Sequence, residues 1–202
     1  MKRLAAILLP VLLLASCDFG GSTQSRYLSA YGPPQPNQRA PEDPGAALPD
    51  DVSYWAGDGI SGSPLIKIDL SAQKAFFYKS GKLVGVSRIS TGDDGYETPP
   101  GSFKITQKSK NHRSNLYGVF KDKRTGEIVN DDVDTSKDKT PPGCVYVGAP
   151  MPYFMRFNGG IGMHTGYLPG YNASHGCVRM PHKMAKVFFE NVSIGTPVIV
   201  ER

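Results

Sequence analysis

The chain lacks an apolar run long enough to cross a bilayer. Leu4 to Ala15 is twelve residues, broken by Pro10, and as a helix it would span only about 18 Å against a hydrocarbon core of roughly 30 Å. A strong charge of one sign is also missing. Lys plus Arg is 23 against 18 Asp plus Glu, a net of +5, and setting aside Lys2 and Arg3 leaves 21 − 18 = +3. That is too mild to argue for nucleic acid. Sustained helical periodicity is scarce as well: 23 Gly and 17 Pro interrupt the chain, which excludes a helical bundle or coiled coil as the main architecture. Cysteine is limited to Cys17, Cys144 and Cys177. What is present, 39% hydrophobic and 20% charged residues over 202 positions, fits one ordinary globular domain with appendages.

Lys2 and Arg3 precede the apolar run, and Ala15-Ser16 precedes Cys17, the layout of a secretory signal over residues 1–16. Leu14-Ala15-Ser16-Cys17 resembles the bacterial lipoprotein signal, which implies lipidation of Cys17. Acyl chains there would hold the protein at a membrane surface on the extracytoplasmic face. From Cys17 the composition turns to Gly, Ser, Gln, Asn and Pro, with Pro33, Pro34, Pro36, Pro41, Pro44 and Pro49. Residues 17–59 therefore read as a semi-rigid tether, and residues 60–202 as the folded domain.

That domain reads as short strands. In Leu65 to Leu70, Ile66, Ile68 and Leu70 alternate with Lys67 and Asp69, the period of a half-buried strand. Ala75 to Tyr78 and Leu83 to Ser90 flank Ser80-Gly81 as a hairpin, and Ser102 to Gln107 follows the Pro99-Pro100-Gly101 turn. An antiparallel meander is expected. Residues Lys108 to Pro150, polar and charge-mixed, are expected to form an elaboration beside the site. Asn130 to Asp134 lacks the Gly and terminal Glu of a calcium loop and reads as a solvated acidic turn. One helix is expected, with Pro181 at its start, Met184, Val187, Phe188 and Val192 on one face and Gly195 beyond its end. Thr196 to Glu201 reads as a closing strand.

Chemistry concentrates between residues 162 and 182, where His164, His175 and His182 lie with Ser174-His175-Gly176-Cys177-Val178-Arg179. A thiol must lose its proton to attack a carbonyl, and an imidazole can take it. His164 stands thirteen residues before Cys177, with Gly166, Pro169 and Gly170 between, so the loop can fold back and bring ring to sulfur. His175 is too close in sequence for that geometry and is expected to shape the pocket. Gly176 lets a ligand approach the backbone, with the Cys177 amide as an oxyanion donor. Arg179 shares the parity of Cys177 and reads equally as a partner for a substrate carboxylate or as a structural ion pair. A zinc site from His164, His175, Cys177 and His182 lacks the usual paired spacing; no metal and no cofactor is expected. Cys144, before Val145-Tyr146-Val147, reads as packed in a strand rather than paired with Cys177.

With His164 upstream and Thr98-Pro99-Pro100-Gly101-Ser102-Phe103 further back, Ser174-His175-Gly176-Cys177-x-Arg179 resembles the bacterial L,D-transpeptidase catalytic domain family. The resemblance covers about Ile60 to Glu201. It implies a mostly β, sandwich-like fold with one or two short helices, and peptidoglycan peptide stems as substrate and partner. It implies that Cys177 attacks the third stem residue of a tetrapeptide, releases D-Ala and passes the acyl group to an amine, with His164 as base. It further implies that the Thr165 main chain orients the ring and that Ser174, His175, Gly176 and Arg179 shape the pocket. The interval between His164 and Cys177 is shorter than in many members. Tyr117 and Tyr153 are expected to wall the substrate groove. The alternatives are a cysteine peptidase or L,D-carboxypeptidase that gives the acyl group to water, and a non-catalytic wall-binding lipoprotein.

Overall fold

The computed structural model describes residues 52–202. The signal segment, Cys17 and the tether up to residue 51 lie outside the described residues. In chain order the elements are β1 (Tyr54–Trp55), β2 (Pro64–Asp69), β3 (Lys74–Lys79), β4 (Lys82–Arg88), β5 (Gly101–Lys104), β6 (Gln107–Asp122), β7 (Ile128–Asp134), β8 (Cys144–Asn158), β9 (Ile161–Thr165), β10 (Val178–Met180), α1 (His182–Asn191) and β11 (Pro197–Glu201). They form two sheets, a six-stranded one of order β1-β4-β3-β2-β11-β5 and a five-stranded one of order β10-β9-β8-β6-β7. Among the described residues no helix is long and apolar enough to cross a membrane.

The first sheet grows from local signals. β2, β3 and β4 pair antiparallel in sequence. Ser80 and Gly81 take φ of 46° and 81° between the closing pair Lys79 and Lys82. Two successive positive φ values are what a tight two-residue hairpin turn requires. β11 then returns parallel to β2 and antiparallel to β5. Ile66, Ile68, Ala75, Phe77, Val84, Val198 and Val200 point inward against Met155, Phe157, Met163, Val178 and Met180 of the second sheet. The helix adds Met184, Ala185 and Phe188 to the same core, and Phe188 meets Phe77 edge-on at 5.0 Å between centroids.

Three expectations change. Tyr54–Trp55, assigned to the tether, forms an edge strand on β4, because the Trp55 indole packs edge-on against Phe77 at 5.2 Å. The strand expected over Ser102 to Gln107 splits between the sheets: Ile105 donates its amide to Thr196 and Thr106 donates to Arg156. Residues Lys108 to Pro150 are no elaboration; they supply β6, β7 and most of β8, the centre of the second sheet. Cys144 opens β8, free and buried beside Phe120 and Val133.

Candidate active site

A parallel strand pair sets His164 and Cys177 on one face of neighbouring segments. β9 and β10 pair Val178 with Met163, Arg179 with His164 and Met180 with Thr165. Side chains alternate across a strand. Met163, Val178 and Met180 enter the core, so His164, Arg179 and, one step before the strand, Cys177 occupy the opposite face. Parallel neighbours need a crossover of about a dozen residues, and the thirteen-residue spacing of His164 and Cys177 supplies it. The Cys177 thiol stands 4.0 Å from the Gly160 carbonyl, with the Gly162 amide also acting on it.

The tautomer of His164 follows from its contacts. Its Nδ1 lies 2.7 Å from the Thr165 carbonyl oxygen, which only accepts hydrogen bonds, so Nδ1 carries the proton and Nε2 keeps the lone pair. The ring is 5% exposed, and burial pushes its pKa down to about 4 despite the carbonyl, with Arg179 and His112 adding to the depression. Burial likewise raises the Cys177 pKa, opposed by the Gly162 amide and by the Arg179 and Arg156 guanidinium groups. At neutral pH the site holds a neutral imidazole and a neutral thiol.

The loop before Cys177 is fixed from two directions. The Ser174 hydroxyl accepts from the Gly176 amide at 3.1 Å and donates to the Cys177 carbonyl at 2.5 Å. The Gly176 amide is therefore spent within the loop, and of the two the Cys177 amide remains the oxyanion candidate. Thr98, buried, donates its hydroxyl to the Gly176 carbonyl at 2.8 Å and accepts from the Gly92 amide at 3.0 Å. Gly176 takes φ of 99°, a conformation that favours glycine. Arg179 is buried and exchanges backbone hydrogen bonds with Ser90. Its aliphatic stem lies where a Cβ on Gly166 would stand only 2.7 Å from Cγ.

His175 is held between two tyrosines, Tyr96 at 4.4 Å and Tyr117 at 4.5 Å between centroids, and burial lowers its pKa. Tyr117 stands within electrostatic reach of Cys177, and burial raises its phenol pKa. Tyr153, expected in the groove, is elsewhere. Arg156 pairs with Gly162 and Met155 with Met163, so Tyr153 shares the core face, where its ring packs on His182 at 5.3 Å and Phe189 at 5.6 Å. The Thr165 hydroxyl, 3.4 Å from His182 Nδ1, lies on that face too. His182 is thus across the sheet from His164 and Cys177, and the four residues weighed as zinc ligands do not converge. The roles of Tyr96 and Thr98 escape sequence reasoning: Tyr96 sits in a polar loop without periodicity, and the Thr98 contact is a side-chain bond across 78 positions. A cleft of about 310 Å³ behind the Thr98 loop is bounded by Leu70, Thr91, Glu97, Asn172 and Arg202, without Cys177 or His164.

The family model of YkuD, the L,D-transpeptidase catalytic domain, matches residues 63–200. Among solved structures, an L,D-transpeptidase from Mycobacterium smegmatis is 20% identical with a TM-score of 0.52, covering 69% of this chain and 59% of that one. An L,D-transpeptidase from Xylanimonas cellulosilytica is 22% identical with a TM-score of 0.50, over 70% and 61% of the two chains. The Ldtfm avibactam carbamoyl enzyme is 26% identical with a TM-score of 0.50, over 69% and 49%. The chain thus spans about six tenths or less of the length of these structures. No curated protein sequence matches it.

Proposed function

Because the chain belongs to the L,D-transpeptidase catalytic domain family, we propose that it is a thiol acyltransferase acting on peptidoglycan peptide stems, with Cys177 as nucleophile and His164 as base. The observation that carries this reading is the tautomer of His164. With Nδ1–H held by the Thr165 carbonyl, the only basic nitrogen is Nε2, on a strand adjacent to Cys177 and on the same face. Neither group ionises alone in the resting site, since burial opposes both charges. Moving a proton from sulfur to Nε2 creates both charges together, as a pair that attracts strongly in a low dielectric.

Proton transfer then accompanies attack. The sulfur bonds to the carbonyl carbon of the third stem residue, and its proton passes to Nε2. The carbonyl oxygen takes the negative charge and is met by the Cys177 amide. Collapse breaks the bond to the terminal D-Ala, whose amine leaves with the proton from Nε2, and a thioester remains. An acceptor amine attacks the thioester, gives its proton to Nε2, and the sulfur leaves and recovers that proton. Ser174, Gly176 and Thr98 hold the Cys177 loop, while Tyr96, His175 and Tyr117 wall the entrance.

Incubation with a purified stem tetrapeptide tests the reading: crosslinked dimer with free D-Ala is expected, and both vanish in Cys177→Ala. Tripeptide without dimer would make water the acceptor. Neither product would overturn the enzyme reading. Exposure to a carbapenem or to avibactam is expected to add the mass of the compound to Cys177 in intact-mass spectra. His164→Ala is expected to slow this acylation at least tenfold, about the low end for loss of a general base.

A further inference from the structure

Arg156 on β8 enters neither the sequence motif nor the mechanism above. The strand register nevertheless puts it in the same row as the nucleophile. Arg156 pairs with Gly162 across β8 and β9, and Val178 pairs with Met163 across β9 and β10, so Cys177 comes opposite Gly162 on its other side. Gly162 has no side chain to separate its neighbours. A Cβ there would stand 2.5 Å from the Phe154 ring and 2.7 Å from the Met155 carbonyl, so the Phe154 ring packs directly over the Gly162 backbone in the row that holds the arginine and the sulfur.

The guanidinium is anchored on three sides. Nε donates to the Gln107 side-chain oxygen at 2.7 Å, and Nη1 donates to the Gly159 carbonyl at 2.7 Å. Cζ lies 5.1 Å from the centre of the buried Phe154 ring. Gly159 and Gly160 form the turn between β8 and β9, and the Gly160 carbonyl is the thiol's hydrogen-bond acceptor. One side chain thus grips the turn that touches the sulfur and places a permanent positive charge in its row.

Resting on the reading of Cys177 as the nucleophile, we propose that Arg156 is a positioning residue of the thiol site, clamping the Gly159–Gly160 turn beside the sulfur and favouring the thiolate by its charge. Other groups share the environment. Arg179 contributes the second guanidinium from β10, His164 from β9 is neutral at physiological pH, and Tyr117 from β6 stands within electrostatic reach of the sulfur. Asp132, Asp134 and Lys137 from β7 and its turn act on the neighbouring His175.

The test is the pH dependence of Cys177 alkylation by iodoacetamide, followed on the Cys177 peptide by mass spectrometry, and it needs no stem peptide. Loss of transpeptidation would leave it readable, so the two readings fail separately. In Arg156→Met the apparent pKa is expected to rise by roughly one unit, the low end for loss of a nearby opposite charge. Arg156→Lys, which keeps charge without the fork, should recover most of that shift while alkylating more slowly at its plateau. An unchanged pKa in Arg156→Met, with only a lower rate, would reduce Arg156 to a structural role and overturn the proposal. Should Arg156→Met fail to fold, Gln107→Ala carries the test by freeing Nε: a rise smaller than that expected for Arg156→Met is expected as the charge loses one anchor, and no rise overturns the proposal.

Discussion

At the residue scale the thiol depends on a hydroxyl that never touches it. A threonine hydroxyl has one proton to donate, and the hydroxyl of Thr98 gives it to the Gly176 carbonyl while accepting from the Gly92 amide. Both partners are backbone groups in the buried seam between the Gly92 loop and the Cys177 loop. Thr98→Val keeps the shape and removes both bonds, leaving a buried amide and carbonyl unpaired at about 1–3 kcal/mol each. A lower melting temperature and at least a tenfold slower acylation of Cys177 are expected, with Thr98→Ser close to wild type on both. Wild-type acylation in the valine variant would show that the seam does not position the sulfur. The Thr-Pro-Pro-Gly segment was legible as a motif, yet its task was not, because a bond across 78 positions leaves no local pattern.

At the scale of elements, legibility follows burial. β2, β3 and β11 each present one buried and one solvated face, so their alternation survives in the sequence. α1 likewise shows its Met184, Ala185 and Phe188 stripe. β6 does not: its first half, Gln107 to Arg113, is largely open on both faces and carries polar residues throughout. Its strand character comes from long-range pairing with β8, from Gln107 with Arg156 to Asp122 with Cys144. Tyr153 was misplaced for the same reason, since parity along β8 decides the face and β8 itself was not legible. The helix gives a test of how the halves are joined. Phe188, fully buried between Phe77 and Trp55, couples α1 to the first sheet, while β9 and β10 belong to the second. Phe188→Ala is expected to cost about 3–5 kcal/mol through lost burial and a residual cavity. Denaturant unfolding that shifts by less than 1 kcal/mol, on the order of a surface change, would show that the helix is not keyed into the common core.

For the whole molecule the buried imidazoles set the acid limit. Burial lowers the pKa of His164 to about 4, and lowers those of His175 and His112 as well. The unfolded chain takes up these protons near pH 6.5. Between that value and about 4 the unfolded state therefore binds more protons than the folded one, and stability rises with pH across this window. It is complete above roughly pH 6.5 and falls as pH drops, by up to about 3 kcal/mol from His164 alone if its full shift is realised. Carboxylates enter later: hydrogen bonds lower the pKa of Asp69, Asp122 and Asp134 below 3.8, so their contribution is lost only under more acid conditions. Melting temperature is expected to decline steadily from pH 7 to pH 4.5, and His164→Gln is expected to flatten that decline, since an uncharged amide has no proton to take up. A flat wild-type profile, or an equally steep one in the variant, would mean that His164 is hydrated enough to titrate normally. The same shift separates the two ways activity can fail in acid. With His164 neutral down to about pH 4, loss of acylation between pH 6 and 4.5 should track unfolding measured in the same buffer, not a single titration of the folded site.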